Sequence, residues 1–202
     1  MTEPPAPSPT DVTAVVLAGG TSRRFGSDKL AAPLRGSTVL GETLGGLAPE
    51  WAVVAVGPAR PTDRWVTWTV EDPPGGGPLA GLAAGLALVT TTLVVVLAGD
   101  VPDGGPAAVE LVEALRGGPA EVDAVVATDP DGVPNPLLGA YRVAAVRAVL
   151  PDTAHGRPAR LLLDLRHTEI RVASGISDVD TPADLARLGG SRARRGGRGT
   201  PT

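Results

Sequence analysis

Two stretches, VTAVVLAG at 12–19 and TLVVVLAGD at 92–100, are nearly unbroken runs of Val, Leu and Ala that stop at glycine. A strand with one wet face alternates apolar and polar residues. A strand apolar on both faces must be covered on both, as in the interior of a parallel sheet. Aromatic residues are only 2% of the chain, so the core must be built from small and branched aliphatics. That composition suits buried strands under Ala-rich helices.

The remaining segments fit the same scheme. WAVVAVG (51–57), WVTWTVED (65–72), DAVVAT (123–128), PLLGAY (136–141) and TEIRV (168–172) read as further strands. Helices are expected over 37–48 with Ser37 as cap, over 78–89 with Pro78 in the first turn, and over 105–118. Others are expected near 142–150, near 158–166 and over 181–188. Strands separated by helices require crossover connections. The predicted fold class is α/β: a three-layer α/β/α, Rossmann-like arrangement around a mostly parallel sheet, with one domain over 11–188. Residues 1–10 are Pro-rich and residues 189–202 are Gly/Arg-rich, and both are expected to be disordered extensions.

In such sheets ligands bind beyond the carboxyl ends of the strands. AGGTSRRFGSDK after the first strand, EDPPGGGPLAG after the third and GDVP after the fourth should therefore gather on one edge. The first of these is not a Walker loop, because Ser27 and Asp28 separate Gly26 from Lys29, nor is it G-x-G-x-x-G. It still holds the makings of an anion site. Gly19 and Gly20 let the main chain approach a ligand and offer N–H groups. Arg24 supplies a planar fork and Lys29, the only lysine in the chain, a compact charge. Asp100 emerges from a buried strand, where a bound Mg²⁺ is a natural partner for a carboxylate. Asp103 stands nearer the next helix and is expected to cap it. The EDPPGGGPLAG loop presents backbone to read a base edge. Asp178 and Asp180 precede Thr181-Pro182; capping explains one of them, and a second metal-side carboxylate is the other reading. His155 and His167 have no ligand spacing around them and are expected at the surface.

These motifs resemble those of the MobA-like nucleotidyltransferases. LAGGTSRRFGSDK matches the L-A-G-G-x-S-x-R-x-G-x-D-K signature, and GGPLAGLAAGL, LAGDVP, NPLLGAY and DVDTPADL follow in the family's order over residues 12–188. The resemblance is strongest to the molybdenum cofactor guanylyltransferases within that family. It implies the nucleotide-diphospho-sugar transferase type of fold and transfer of GMP from GTP to a molybdenum-bearing molybdopterin, with pyrophosphate released. By that likeness Leu17, Ala18, Gly19, Gly20, Asp72, Gly77, Pro78 and Leu79 would line the nucleotide pocket. Arg24 and Lys29 would meet its phosphates. Asp100, with Asp180 as a second candidate, would hold Mg²⁺. Partners implied are GTP, a molybdopterin-type acceptor and a molybdoenzyme or another protein of cofactor biosynthesis.

Relatives carrying Ala-Ala-Gly where this chain has Ala18-Gly19-Gly20 tend to use CTP, so the pattern here favours guanine. One departure stands out. Guanylyltransferases of this type often carry an Asn near the end of the second strand, whereas here the strand runs into Gly57 and Pro58. The backbone of Gly57 or the side chain of Arg60 is the expected substitute. Arg142, Arg157 and Arg160 are candidates for acceptor phosphate. Cytidylyl transfer, or transfer to another phosphorylated acceptor, is the alternative chemistry, and a non-catalytic nucleotide-binding module is the alternative outside enzymes.

Other classes are disfavoured. With no cysteine there is neither disulfide nor thiolate chemistry. A net charge of −4 argues against general nucleic-acid binding. No apolar run approaches a membrane span and no signal-peptide pattern opens the chain, so a cytoplasmic location is expected.

Overall fold

The computed structural model describes residues 11–20, 25–172 and 177–191. The two apolar runs become β1 (Val12–Leu17) and β6 (Leu93–Ala98), paired in parallel at the centre of a seven-stranded sheet. Two short strands, β2 (Pro33–Leu34) and β3 (Ser37–Thr38), form a separate hairpin. Then follow β4 (Ala52–Val56), β5 (Thr67–Thr69), β7 (Ala124–Thr128), β8 (Pro134–Arg142) and β9 (His167–Ile170). The sheet order is β5-β4-β1-β6-β8-β7-β9, and all its pairings are parallel except the two made by β8.

The continuous apolar run of β1 is split between two cores by the strand's period of two. Val12, Ala14 and Val16 face one side, with α1 (Val39–Gly45), α3 (Gly104–Gly117) and Leu188 of α5 (Pro182–Ser191). Val15 faces the other, with Leu79, Leu82 and Leu86 of α2 (Pro78–Leu86) and Val143 and Val146 of α4 (Val143–Val149). These are the three layers read from the sequence. α2 lies close on β1 through Gly85, where a Cβ would meet Val15 Cγ1 at 2.7 Å.

Several local expectations are corrected. The helix expected from Ser37 starts two residues later: Ser37 pairs with Leu34 in the hairpin, and Thr38 Oγ1 is the cap, accepting from Gly41 N–H at 3.0 Å. Arg35 and Gly36 both take positive φ (53° and 92°), as a two-residue hairpin turn requires. Asp103 occupies the N-cap position of α3 but caps nothing. Arg35 takes its carboxylate instead, in two hydrogen bonds of 2.7 and 3.3 Å. The expected helix at 158–166 is a 3₁₀ segment over Ala159–Asp164, and the expected strand 65–72 shortens to β5. His155 is exposed, whereas His167 is half-buried, its Nδ1 2.9 Å from the Leu165 carbonyl.

Candidate active site

Because β1, β4, β5 and β6 are parallel, their carboxyl ends share one edge of the sheet. The chain leaves β1 toward β4 and β5, then returns to β6 on the other side of β1. This reversal opens the crevice where doubly wound sheets bind ligands. A cleft of about 380 Å³ lies there, lined by Leu17, Gly19, Gly20 and Lys29 from the first strand and its loop. Glu71, Gly75, Gly77 and Pro78 form another wall, and Asp100 and Leu137 close it. α2 opens at this cleft with Gly77 before Pro78 and no side-chain cap, so the first-turn N–H groups are left for a ligand.

Lys29 stands on a single 3₁₀ turn, Lys29–Ala31, whose N-cap is Asp28. Its Nζ lies 2.5 Å from Asp100 Oδ2 and 3.1 Å from Asp180 Oδ1. Burial works to lower the Lys29 pKa, but the hydrogen bonds and charges of Asp100 and Asp180 outweigh it and hold the group above its ordinary value. Asp100 is fixed through its main chain. The neighbouring Gly99 donates to Leu17 O at 2.9 Å and accepts from the buried Thr43 hydroxyl at 3.0 Å. Asp100 O accepts from Val179 N–H at 2.9 Å, which ties the segment before α5 to the end of β6 and brings Asp180 to the cleft.

Asp180 is therefore not the cap of α5. Thr181 Oγ1 accepts from Asp184 N–H at 3.2 Å, and Asp184 Oδ2 accepts from Thr181 N–H at 2.9 Å, a reciprocal capping box. Asp178 is exposed nearby.

Of the residues singled out from the sequence, Leu17, Gly19, Gly20, Lys29, Gly77, Pro78 and Asp100 come together in the cleft, with Asp180 attached through Lys29. Ala18, Asp72 and Leu79 are not among its lining. Ala18 is buried and accepts a hydrogen bond from Arg60; Leu79 is fully buried in the core and can reach a ligand only through its main chain. Asp72 is exposed, and the neighbouring Glu71 faces the cleft, held by Gly75 N–H at 3.2 Å. Arg24 lies outside the described residues.

Neither expected substitute for the missing Asn turns to the cleft. Gly57 N–H is used by Thr69 O at 2.8 Å, and Arg60 bonds to Asp28, Ala18 O and Pro58 O. Arg142 pairs with Leu93 at the opposite edge of the sheet and donates to Val122 O, so it is no candidate for acceptor phosphate. The exposed Arg157 follows Gly156, whose N–H donates to Gly76 O at 2.8 Å, which places it beside the glycine-rich loop.

The residues suit a divalent cation. Among the described residues no group of three potential metal ligands gathers, but two carboxylates converge on one ammonium, itself a cation held between them. Hard oxygen donors in that number fit Mg²⁺, which takes one or two carboxylates and completes its shell with water and phosphate oxygens.

Comparison with known proteins settles the family. Residues 14–170 match the MobA-like NTP transferase domain. The chain belongs to this family. As a MobA-like protein it is a nucleotidyltransferase. It is similar to a probable molybdenum cofactor guanylyltransferase from Deinococcus radiodurans, 34% identical over 186 residues, which cover 89% of this chain and 94% of that one. The fold matches that of molybdopterin-guanine dinucleotide biosynthesis protein A from Archaeoglobus fulgidus, with TM-score 0.69 at 22% identity over 90% of this chain and 99% of the other. It also resembles Rv0371C from Mycobacterium tuberculosis, solved in complex with manganese: TM-score 0.62 at 25% identity, covering 90% of this chain and 100% of that one. Among the described residues of this MobA-like chain, no helix is long and apolar enough to cross a membrane.

Proposed function

We propose that the protein transfers GMP from GTP to the terminal phosphate of a molybdopterin-type acceptor, using Mg²⁺, and releases pyrophosphate. The observation that carries this reading is the Lys29 ammonium held between Asp100 and Asp180 at the mouth of a glycine-lined cleft. The named relatives supply the acceptor and the base.

In the reaction a phosphate oxygen of the acceptor forms a bond to the α-phosphorus of GTP. The bond from that phosphorus to the bridging oxygen breaks, and its electron pair leaves with pyrophosphate. An acceptor phosphate is already ionised near neutral pH, so no general base is needed, and catalysis rests on positioning and charge neutralisation. Gly19 and Gly20 bring main-chain N–H groups to the phosphates. Lys29 turns from its carboxylates to the departing pyrophosphate. The uncapped first turn of α2 faces the nucleotide with the positive end of its dipole. Asp100 and Asp180 would hold the divalent cation, which screens phosphate charge and polarises the α-phosphate. Arg157 and Arg160, exposed beside the glycine-rich loop and on the 3₁₀ segment after it, are the acceptor-side cations.

The test is thermal stabilisation by GTP, CTP, ATP and UTP, with and without Mg²⁺. A nucleotide at 100 times its dissociation constant adds about 2.7 kcal/mol. For a domain of this size that raises Tm by roughly 5–11 °C. A shift with GTP that needs the cation, followed by pyrophosphate release when molybdopterin is added, is the expected result. A shift with CTP instead moves the base assignment, for which the absent Asn at Gly57-Pro58 is the motive. A shift with none of the four refutes the nucleotide pocket.

A further inference from the structure

The loop that carries the signature residues is held at both ends by one side chain from the segment after β4. Arg60, four residues beyond β4, is only 14% exposed. Its Nε donates to Asp28 Oδ2 at 2.8 Å and its Nη2 to Asp28 Oδ1 at 3.1 Å. Its Nη1 donates to Ala18 O at 2.9 Å and to Pro58 O at 3.0 Å. Ala18 is where the chain leaves β1, and Asp28 is the residue immediately before Lys29. Asp28 Oδ1 also accepts Leu30 N–H at 3.2 Å, capping the turn on which Lys29 stands.

We infer that Arg60 is a positioning residue for nucleotidyl transfer: by clamping Ala18 and Asp28 it fixes the ends of the glycine-rich loop and sets the reach of Lys29. The inference rests on the reading of Lys29 as the phosphate-side cation.

The geometry explains why the residue is arginine. One planar group serves a carboxylate through two parallel hydrogen bonds and still has N–H groups in the same plane for two carbonyls. A lysine at 60 has one nitrogen and lacks the planar fork that meets both carboxylate oxygens and the two carbonyls at once. Holding Ala18 and Asp28 in fixed positions before any ligand arrives spares nucleotide binding the cost of ordering these two anchor points. The Asp28 carboxyl is held below its ordinary pKa, chiefly by its hydrogen bond to Arg60, so it stays an anion and the clamp stays closed throughout the neutral range. The residue does not replace the absent Asn as a nucleotide contact; it holds the main chain that makes such contacts.

The experiment compares Arg60→Ala, Arg60→Lys, Asp28→Asn, the double variant Arg60→Ala with Asp28→Asn, and Lys29→Ala. Melting, GTP affinity by titration calorimetry and pyrophosphate-release kinetics are measured for each. Asp28→Asn keeps an oxygen for Leu30 N–H and guards against an Arg60 variant that fails to fold. A misplaced catalytic cation costs on the order of 10–100-fold. Arg60→Ala is expected to lose that much in kcat with a smaller rise in KM for GTP. Arg60→Lys recovers little of it. Asp28→Asn reproduces the loss, and the double variant is no worse than either single one, because both break the same clamp. If Lys29→Ala is inactive while Arg60→Ala keeps kcat within about twofold, positioning by Arg60 is refuted and the site reading stands. Losses that track the folded fraction, or that multiply in the double variant, also overturn the inference. Full activity in Lys29→Ala removes the site reading, and this inference with it.

Discussion

Gly57→Ala probes how the end of β4 meets the chain as it leaves β1. Gly57 has φ +144°, a region alanine resists. A Cβ there would lie 2.5 Å from Ala18 O, 2.6 Å from Ala18 C and 2.7 Å from Gly19 N. All three neighbours are main chain, at the point where β1 hands over to the glycines, so no flexible side chain can yield. Backbone strain of this kind costs about 1–3 kcal/mol, and overpacking a further 1–3 kcal/mol or so. Reduced freedom of the unfolded chain returns roughly 0.5 kcal/mol. A net loss of about 3 kcal/mol lowers Tm by roughly 6–12 °C at this size. The assay is thermal unfolding followed by circular dichroism, with GTP titrated into the folded variant below its transition. Gly105→Ala is the control, since its Cβ would meet the Gly46 main chain at 2.2–2.5 Å, between α1 and α3 rather than at the cleft. Gly57→Ala should weaken GTP binding more than this control, which is likewise crowded by main chain but lies away from the cleft. A Tm within about 2 °C of the parent, which at this size means a loss of no more than about 1 kcal/mol, refutes the steric argument. Equal GTP affinities in the two variants refute its local character.

Three further outcomes are expected. Asp100→Asn should abolish pyrophosphate release while leaving Tm nearly unchanged, and full turnover would remove Asp100 from the metal side. Lys29→Met should also stop turnover yet tighten Mn²⁺ binding in the absence of nucleotide, read by electron paramagnetic resonance, because Asp100 and Asp180 lose the cation they share; weaker binding would refute two carboxylates as the cation's seat. Since the Asp28 pKa is lowered on folding, its contribution to stability is present above pH 3.8 and fades as pH falls through the folded value. The stability gap between the parent and Asp28→Asn should accordingly close below pH 3.8, and a gap unchanged down to strongly acid pH would contradict the pairing with Arg60.

The central strands and the edge that binds ligand were legible because a run apolar on both faces has few places to go in a fold. The placing of Leu17, Gly19 and Gly20 at the cleft follows from that, since they end β1 or come directly after it. Contacts made at long range were not legible. Lys29 and Asp180 are 151 positions apart, and the main-chain bond from Val179 to Asp100 helps bring them together. The hairpin at 33–38 has strands too short to show a period, and Arg35 at its turn takes Asp103 from the cap where local pattern had placed it. Glu71 and Asp72 are both acids in one loop, and sequence offers no means of knowing which of them turns inward. Leu137 reaches the cleft because β8 runs against its neighbours, which periodicity does not report.

That reversed strand divides the molecule's labour. Apart from Asp180, the wall that holds Lys29 and Asp100 is encoded before residue 101, at the ends of strands that point the same way. β8 begins at the ligand edge where its neighbours finish, so Leu137 closes the cleft from near the start of a strand, and the 155–157 segment leans on Gly76 close by. The two walls share a cleft without sharing a stretch of chain. Under the proposed reaction, a lineage can therefore remodel the 129–137 turn and the 155–160 segment toward a new acceptor while leaving the residues before 101 undisturbed.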